Sequence, residues 1–177
     1  MRVPVMELVD NPGATRALSR AVPVGEFGDD SWGAADGAIR DDIDLDLDLD
    51  AVVEGILVRG TVGADLQLPC SRCLVLQDVR VDSDVAELFI DPAKREDDDE
   101  DDPGYELIDD RTSIDLSVMV RDAVLIDLPV RVLCREDCQG LCEECGADLN
   151  LGDCGHRPDE EPDPRWAKLA DLDLPRE

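Results

Sequence analysis

The chain is 177 residues long and carries 45 acidic against 17 basic side chains, a formal charge of −28. That balance argues against a protein that coats nucleic acid or anionic membrane by bulk electrostatics, and it points toward cationic partners or toward a host whose proteins are acidic in general. Hydrophobic residues at 43% allow one ordinary domain with a core, but aromatics at 3% leave that core to be built from Val, Leu, Ile and Ala.

No stretch reaches the roughly 18 apolar residues of a membrane span. Residues 1–13 lack the long apolar segment of a signal peptide, so a soluble, cytoplasmic protein is expected. Residues 3–9 read as a short strand, followed by a turn at Asn11-Pro12-Gly13. Residues 14–38 show no clear period and contain Gly25, Gly28, Gly33 and Gly37, which predicts a loose connection. The pattern sharpens at 42–50, where Ile43, Leu45, Leu47 and Leu49 alternate with Asp residues. A strict period of two puts the aliphatics on one strand face and the carboxylates on the other. Calcium binding is excluded here: an EF-hand loop needs Gly at its sixth position and Glu at its twelfth, and no starting Asp supplies both.

Residues 52–62, 64–70, 73–82 and 83–90 are rich in β-branched and aliphatic residues, with Gly60, Gly63 and Pro69 as punctuation. With 42–50 they predict an antiparallel meander of four or five strands, with Cys70-Ser71-Arg72-Cys73 on a hairpin tip. Seven consecutive acids from Glu96 to Asp102 make 94–104 a hydrated loop. Residues 105–109 return as a strand. Leu116, Met119, Val120, Ala123 and Val124 then share one face of a helix over 115–127, with Asp115 as N-cap and Pro129 beyond the end. A short tail helix is expected to open at Asp163-Pro164, anchored by Trp166 and Leu169.

The fold class that follows is mainly β (α+β): an antiparallel sheet or partly open barrel, one packed amphipathic helix and a C-terminal zinc-binding extension. Its expected divisions are an N-terminal strand and connection (1–38), a β-rich core (39–133), a Cys-rich segment (134–156) and an acidic tail (157–177).

Seven cysteines and one histidine carry the chemistry. In a reducing compartment, clustered cysteines at short spacing hold metal or do redox work rather than form disulfides. Cys142-Glu-Glu-Cys145-Gly146 has zinc-knuckle form, in which two intervening residues let both sulfurs face one ion. Cys154 and His156 complete a Cys₃His set. Cys134 and Cys138 remain, as do Cys70 and Cys73; either these four close a second site that ties the hairpin tip to the segment after the helix, which is favoured because it leaves no donor unused, or Cys70 and Cys73 stay free. In the favoured arrangement two zinc ions use all eight donors; a single shared site, with Cys138 joining the knuckle, is a further alternative that spacing leaves open. A catalytic zinc keeps one position for water and has an acid or base nearby. Here the only histidine is already a ligand, so both sites read as staples and no catalytic residue is assigned. Redox use of Cys70-x-x-Cys73 is disfavoured, because low-pKa thiols of that kind sit at the start of a helix rather than between strands.

Cys70-Ser-Arg-Cys73-Leu74, the acidic loop, the helix from Ile114 to Pro129 and the block Cys138-Gln-Gly-Leu-Cys142-Glu-Glu-Cys145-Gly-Ala-Asp-Leu-Asn150 together resemble the YceD family, the large ribosomal RNA subunit accumulation proteins. The ending Asp163-Pro164-Arg165-Trp166-Ala167-Lys168-Leu169 is similar to that family's ending. The resemblance implies a non-enzymatic ribosome-biogenesis factor for accumulation or processing of large-subunit 23S rRNA. Precursor 23S rRNA is the partner this implies; charge complementarity with the acidic faces offers a basic large-subunit ribosomal protein equally, and no membrane or small-molecule substrate is expected. Many members end the motif in Cys-x-Cys where this chain has Cys154-Gly-His156, and imidazole replaces thiolate at zinc readily.

A body at −28 repels phosphate, so RNA contact would require a local cationic face. Arg72, Arg80, Arg131 and Arg135 are the candidates if hairpin tip and post-helix segment meet. The competing readings are a zinc-stapled interaction or regulatory module unrelated to ribosomes, and a CxxC thiol oxidoreductase.

Overall fold

The computed structural model describes residues 1–27, 32, 38–94, 106–156 and 165. The alternating segment forms β3 (Ile43–Ala51), and its aliphatic side chains are all buried while its carboxylates face outward. It pairs antiparallel with β2 (Thr15–Val22) on one side and with β4 (Gly55–Pro69) on the other; β4 pairs in turn with β5 (Leu76–Ile90). A two-residue β6 (Glu106–Leu107) runs parallel to the end of β5, giving the order β2-β3-β4-β5-β6. A second sheet pairs β1 (Arg2–Pro4) with β7 (Ser113–Asp115). Helix α2 (Ser117–Ile126) packs on β4 and β5 through Met119, Val120 and Val124, and the Ser83 hydroxyl donates to the Ala123 carbonyl at 3.0 Å. The fold is mainly β, as expected. Among the described residues the sheet does not close into a barrel.

Several expectations are corrected. Residues 3–9 are not one strand: the chain leaves β1 at Pro4 and makes a helical turn, α1 (Met6–Val9), which buries Leu8 and Val9. Residues 15–22 are strand β2 rather than loose connection. Being an edge strand, β2 places half-exposed Arg16 and exposed Arg20 where an interior strand would show aliphatics, so its period carried no hydrophobic signal. Phe27 and Trp32, from the same stretch, are buried edge-to-face with ring centroids 6.0 Å apart, so the core is less purely aliphatic than composition implied.

The glycines read as punctuation do not divide strands. Gly60 lies inside β4 at a positive φ of 145°, and a Cβ there would stand 2.1 Å from the Asp46 carbonyl oxygen of β3. Gly63 leaves open the space over which Arg80 extends. The predicted pairs of short strands therefore fuse into two strands of 15 residues each, β4 and β5. Helix α2 begins two residues later than expected. Asp115 lies just before it, its carboxylate accepting from the Ser117 backbone N–H at 2.9 Å and the Ser117 hydroxyl at 2.6 Å. The acidic run after Lys94 and the expected tail helix fall outside the described residues, apart from Arg165.

Candidate metal centres

The long β4–β5 hairpin holds Cys70 and Cys73 at its tip. The Cys70 N–H donates to the Val75 carbonyl at 2.9 Å and the Leu74 N–H to the Cys70 carbonyl at 3.0 Å, closing a tight turn in which Leu74 takes a left-handed φ of 63°. Gly146, after the second cysteine of the downstream pair, has the matching φ of 71°. Both Cys-x-x-Cys segments thus turn the same way, which aims two sulfurs and the intervening amides at one point.

Helix α2 ends at Ile126, and the chain after it returns to the hairpin. The Ser71 N–H donates to the Val132 carbonyl at 2.8 Å, and Arg72 Nη1 donates to the Cys138 carbonyl at 2.6 Å. This docking places Cys134 Sγ 3.6 Å from Cys73 Sγ and Cys138 Sγ 3.9 Å from Cys70 Sγ. A tetrahedron with Zn–S bonds of about 2.3 Å has sulfur–sulfur edges near 3.8 Å, and these two edges match it. All four sulfurs lie within 4.8 Å of one another. Cys70, Cys73 and Cys138 are buried, forming with Leu133 and Leu141 a small apolar cluster separate from the main core.

The second group, Cys142, Cys145, Cys154 and His156, also has its ligand atoms within 4.8 Å of one another. A small reverse turn builds it: the Gly146 N–H donates to the Cys142 carbonyl at 2.8 Å, and the Cys142 N–H to the Ala147 carbonyl at 2.8 Å. Only Cys142 is buried; Cys145 and His156 are exposed. The eight donors thus fall into two complete sets of four, and the arrangement in which Cys138 joins the knuckle is not the one observed.

The thiol electrostatics fit a cation at each centre. The Cys73 backbone N–H, helped by that of Arg72, brings the Cys70 thiol down to about 6. Burial, with Cys138 beside it, pushes Cys134 up to about 12. In the second group the Cys145 N–H and the Cys154 side chain bring Cys142 to about 7. Four adjacent sulfurs cannot all ionise against one another, whereas a dication makes every one of them a thiolate.

Asn150, the last residue of the Cys138–Asn150 block, is a functional residue that spacing did not single out. Its Nδ2 donates to Cys138 Sγ at 3.5 Å and its Oδ1 accepts from the Gln139 N–H at 2.8 Å. Since Asn150 belongs to the loop between Cys145 and Cys154, it links the second donor set to the first. A polar residue inside a metal-binding loop is the sequence signal that marks such outer-sphere partners.

The four candidate arginines do not form one face. Arg72 is bound to carbonyls of the post-helix segment, and Arg135 pairs with Asp137 at 3.3 Å and donates to Asn150 Oδ1 at 2.6 Å. Arg131 is exposed, with no ion pair among the described residues. Arg80 stands on the outer sheet face, held at 2.9 Å by each of Asp44, Asp65 and Asp82.

Comparison with known proteins bears on these centres. The family described as "Large ribosomal RNA subunit accumulation protein YceD" matches residues 58–173, a span that contains every donor of both sets. The chain belongs to the YceD family. An uncharacterised protein of Mycobacterium tuberculosis is 44% identical over 132 residues, covering 73% of this chain and 61% of the relative. One from Mycobacterium leprae is 39% identical over 171 residues, covering 93% of this chain and 73% of the relative. A chloroplastic YCED homologue of Arabidopsis thaliana, named for large ribosomal RNA subunit accumulation, is 38% identical over 61 residues, 33% of this chain and 18% of its own. The chain spans about three fifths of the length of the M. tuberculosis relative it matches. No solved structure gives a significant match. Among the described residues, no helix is long and apolar enough to cross a membrane.

Proposed function

We propose that this YceD-family chain is a non-enzymatic, cytoplasmic ribosome-biogenesis factor that promotes accumulation or processing of large-subunit 23S rRNA. Two zinc ions staple its C-terminal segment to the sheet, one held by Cys70, Cys73, Cys134 and Cys138, the other by Cys142, Cys145, Cys154 and His156. The observation that carries this reading is the family membership, together with donor sets that are each complete at four. A four-coordinate centre of this kind has no position for substrate or water, which supports a structural role for the metal. Such an ion supplies folding free energy to a short segment with little core of its own.

Of the two partner classes, a basic large-subunit ribosomal protein is favoured over direct contact with precursor 23S rRNA. The charge of −28 favours a cationic partner, and Arg72, Arg80 and Arg135 are all bound within the protein. Deletion of the gene tests the function: a selective fall of 23S relative to 16S rRNA, restored by the wild-type copy, is the expected result. An equal fall of both RNAs, or none, overturns it. Filter binding to precursor fragments over a salt series, set beside pull-down of ribosomal proteins, separates the partner classes.

A further inference from the structure

β5 is paired with β4 along its whole length, but on its other side only Phe89 and Ile90 have a partner, β6. Over residues 76–88 that edge pairs with no strand among the described residues, leaving alternate backbone N–H and C=O groups unmatched. A groove of about 420 Å³ runs between this edge and α2. Its strand wall is the unbroken run 83–87. Consecutive residues line a groove only where a strand presents its edge, because a strand face shows alternate residues.

The helix wall is the ridge Val118, Asp122 and Ile126, at i, i+4 and i+8. Ile126 is 81% exposed and Val118 41%, so both apolar ends of the ridge are uncovered. Asp84, Glu87, Glu106, Asp122 and Asp127 supply the charge, and none of the described residues lining the groove is basic. Arg121 reaches Asp122 at 3.5 Å from the neighbouring helix position. Burial, then the charges of Glu106 and Asp122, raise the Glu87 carboxyl.

We propose that this groove is a docking site for an extended, Lys/Arg-rich protein segment that adds as a strand to the open edge of β5. Main-chain hydrogen bonds supply the affinity, as in other strand additions, and alternate side chains of the guest meet the carboxylates and the apolar ridge. Charge decides the occupant. A second copy of this chain would bring −28 to the same surface, and RNA would bring phosphates against five carboxylates; a cationic peptide is attracted. The inference deepens the biogenesis reading, on which it rests for the source of basic segments in the cell. The binding measurement itself involves neither rRNA nor metal, so it can fail while the rRNA phenotype stands, and the reverse.

The probe is a fluorescein-labelled nine-residue peptide of alternating Lys and Val, followed by anisotropy with the full chain at about 0.15 M salt. Saturable binding is expected, weakened about tenfold or more when alternate peptide nitrogens are methylated, since that removes the ladder donors. The triple variant D84N/E87Q/D122N is expected to lose a similar factor, while D46N/D48N on the outer face of β3, with two charges removed elsewhere, changes affinity less than about twofold. Equal weakening by both variants, or indifference to N-methylation, overturns the proposal in favour of bulk attraction. Saturable binding of a fluorescein-labelled RNA oligonucleotide to the chain with no peptide present, altered by the triple variant, overturns it in favour of a nucleic-acid surface. Unchanged far-UV circular dichroism of the triple variant shows that any loss is not unfolding.

Discussion

The amide nitrogen of Asn150 lies 3.5 Å from the sulfur of Cys138, joining the loop of the exposed donor set to a ligand of the buried one. The same side chain accepts from the Gln139 N–H and from Arg135, so it also holds the backbone that leads away from Cys138. An N–H donor to a metal thiolate tunes the charge on sulfur and orients it, and losing such a partner costs about 10–100-fold in metal affinity.

Asn150→Ala is therefore expected to weaken the buried centre by about tenfold, with the fold retained. The measurement is chelator competition in a Cys145→Ser background, where only the buried centre remains. Unchanged affinity there would show that the contact is incidental.

Metal stoichiometry follows from the two separate groupings. Wild-type protein is expected to carry two zinc equivalents by elemental analysis, and Cys73→Ser or Cys145→Ser to lose one each. Retention of two equivalents in Cys73→Ser would remove the hairpin centre from the account.

Stripping the metal should leave the sheet standing. The buried cysteines belong to an apolar cluster distinct from the main core, which holds Ile43, Leu47, Leu49, Ile56 and Phe89 without them. Chelator is expected to preserve the far-UV β signal while the 134–156 segment becomes open to protease cleavage, because the sulfurs take up protons once the ion leaves and the metal–ligand bonds that hold the segment to the hairpin are gone. Full unfolding on chelation would place the metal inside the folding core instead.

Arg80 spans two strands to reach Asp44, crossing above Gly63, where a Cβ would stand 2.1 Å from its Nη2. Arg80→Ala leaves Asp44, Asp65 and Asp82 facing one another without a cation. Each pair is solvent-exposed, so the expected loss is about 1 kcal/mol rather than several. Salt screens attraction in the wild type and repulsion in the variant, so the stability gap should narrow between about 0.05 and 0.5 M salt in urea titrations. A gap that widens with salt would contradict the pairing.

Glu87 supplies the pH dependence. Its folded carboxyl titrates above the ordinary value of 4.5, through burial and the nearby Glu106 and Asp122 charges. The folded state thus binds this proton more tightly than the unfolded chain does. The resulting stability is fully present below the unfolded pKa and is lost as pH rises through the folded one. Glu87→Gln is expected to melt at higher temperature than wild type at pH 7, the difference vanishing below about pH 4. A Tm increment independent of pH would assign the effect to packing.

The period-two alternation of β3, the helical spacing around Val120 and Val124 and the short Cys-x-x-Cys spacings are local properties, readable from the chain because neighbours along it decide them. The two local sulfur pairs were legible for the same reason. Their combination could be reached only by leaving no donor unused, with other pairings still open; Cys70 and Cys73 meet Cys134 and Cys138 because α2 packs on the sheet and returns the chain to Ser71 and Arg72, a relation between segments more than 60 residues apart. Strand β2 was invisible because an edge strand carries no aliphatic stripe, and Gly60 and Gly63 misled because their purpose lies on neighbouring strands. Composition likewise determined that the surface is acidic. Only the tertiary structure decided that Arg80 is surrounded by carboxylates and that the open edge of β5 faces a groove without a base among its described lining residues, since charges gather through space and not along sequence.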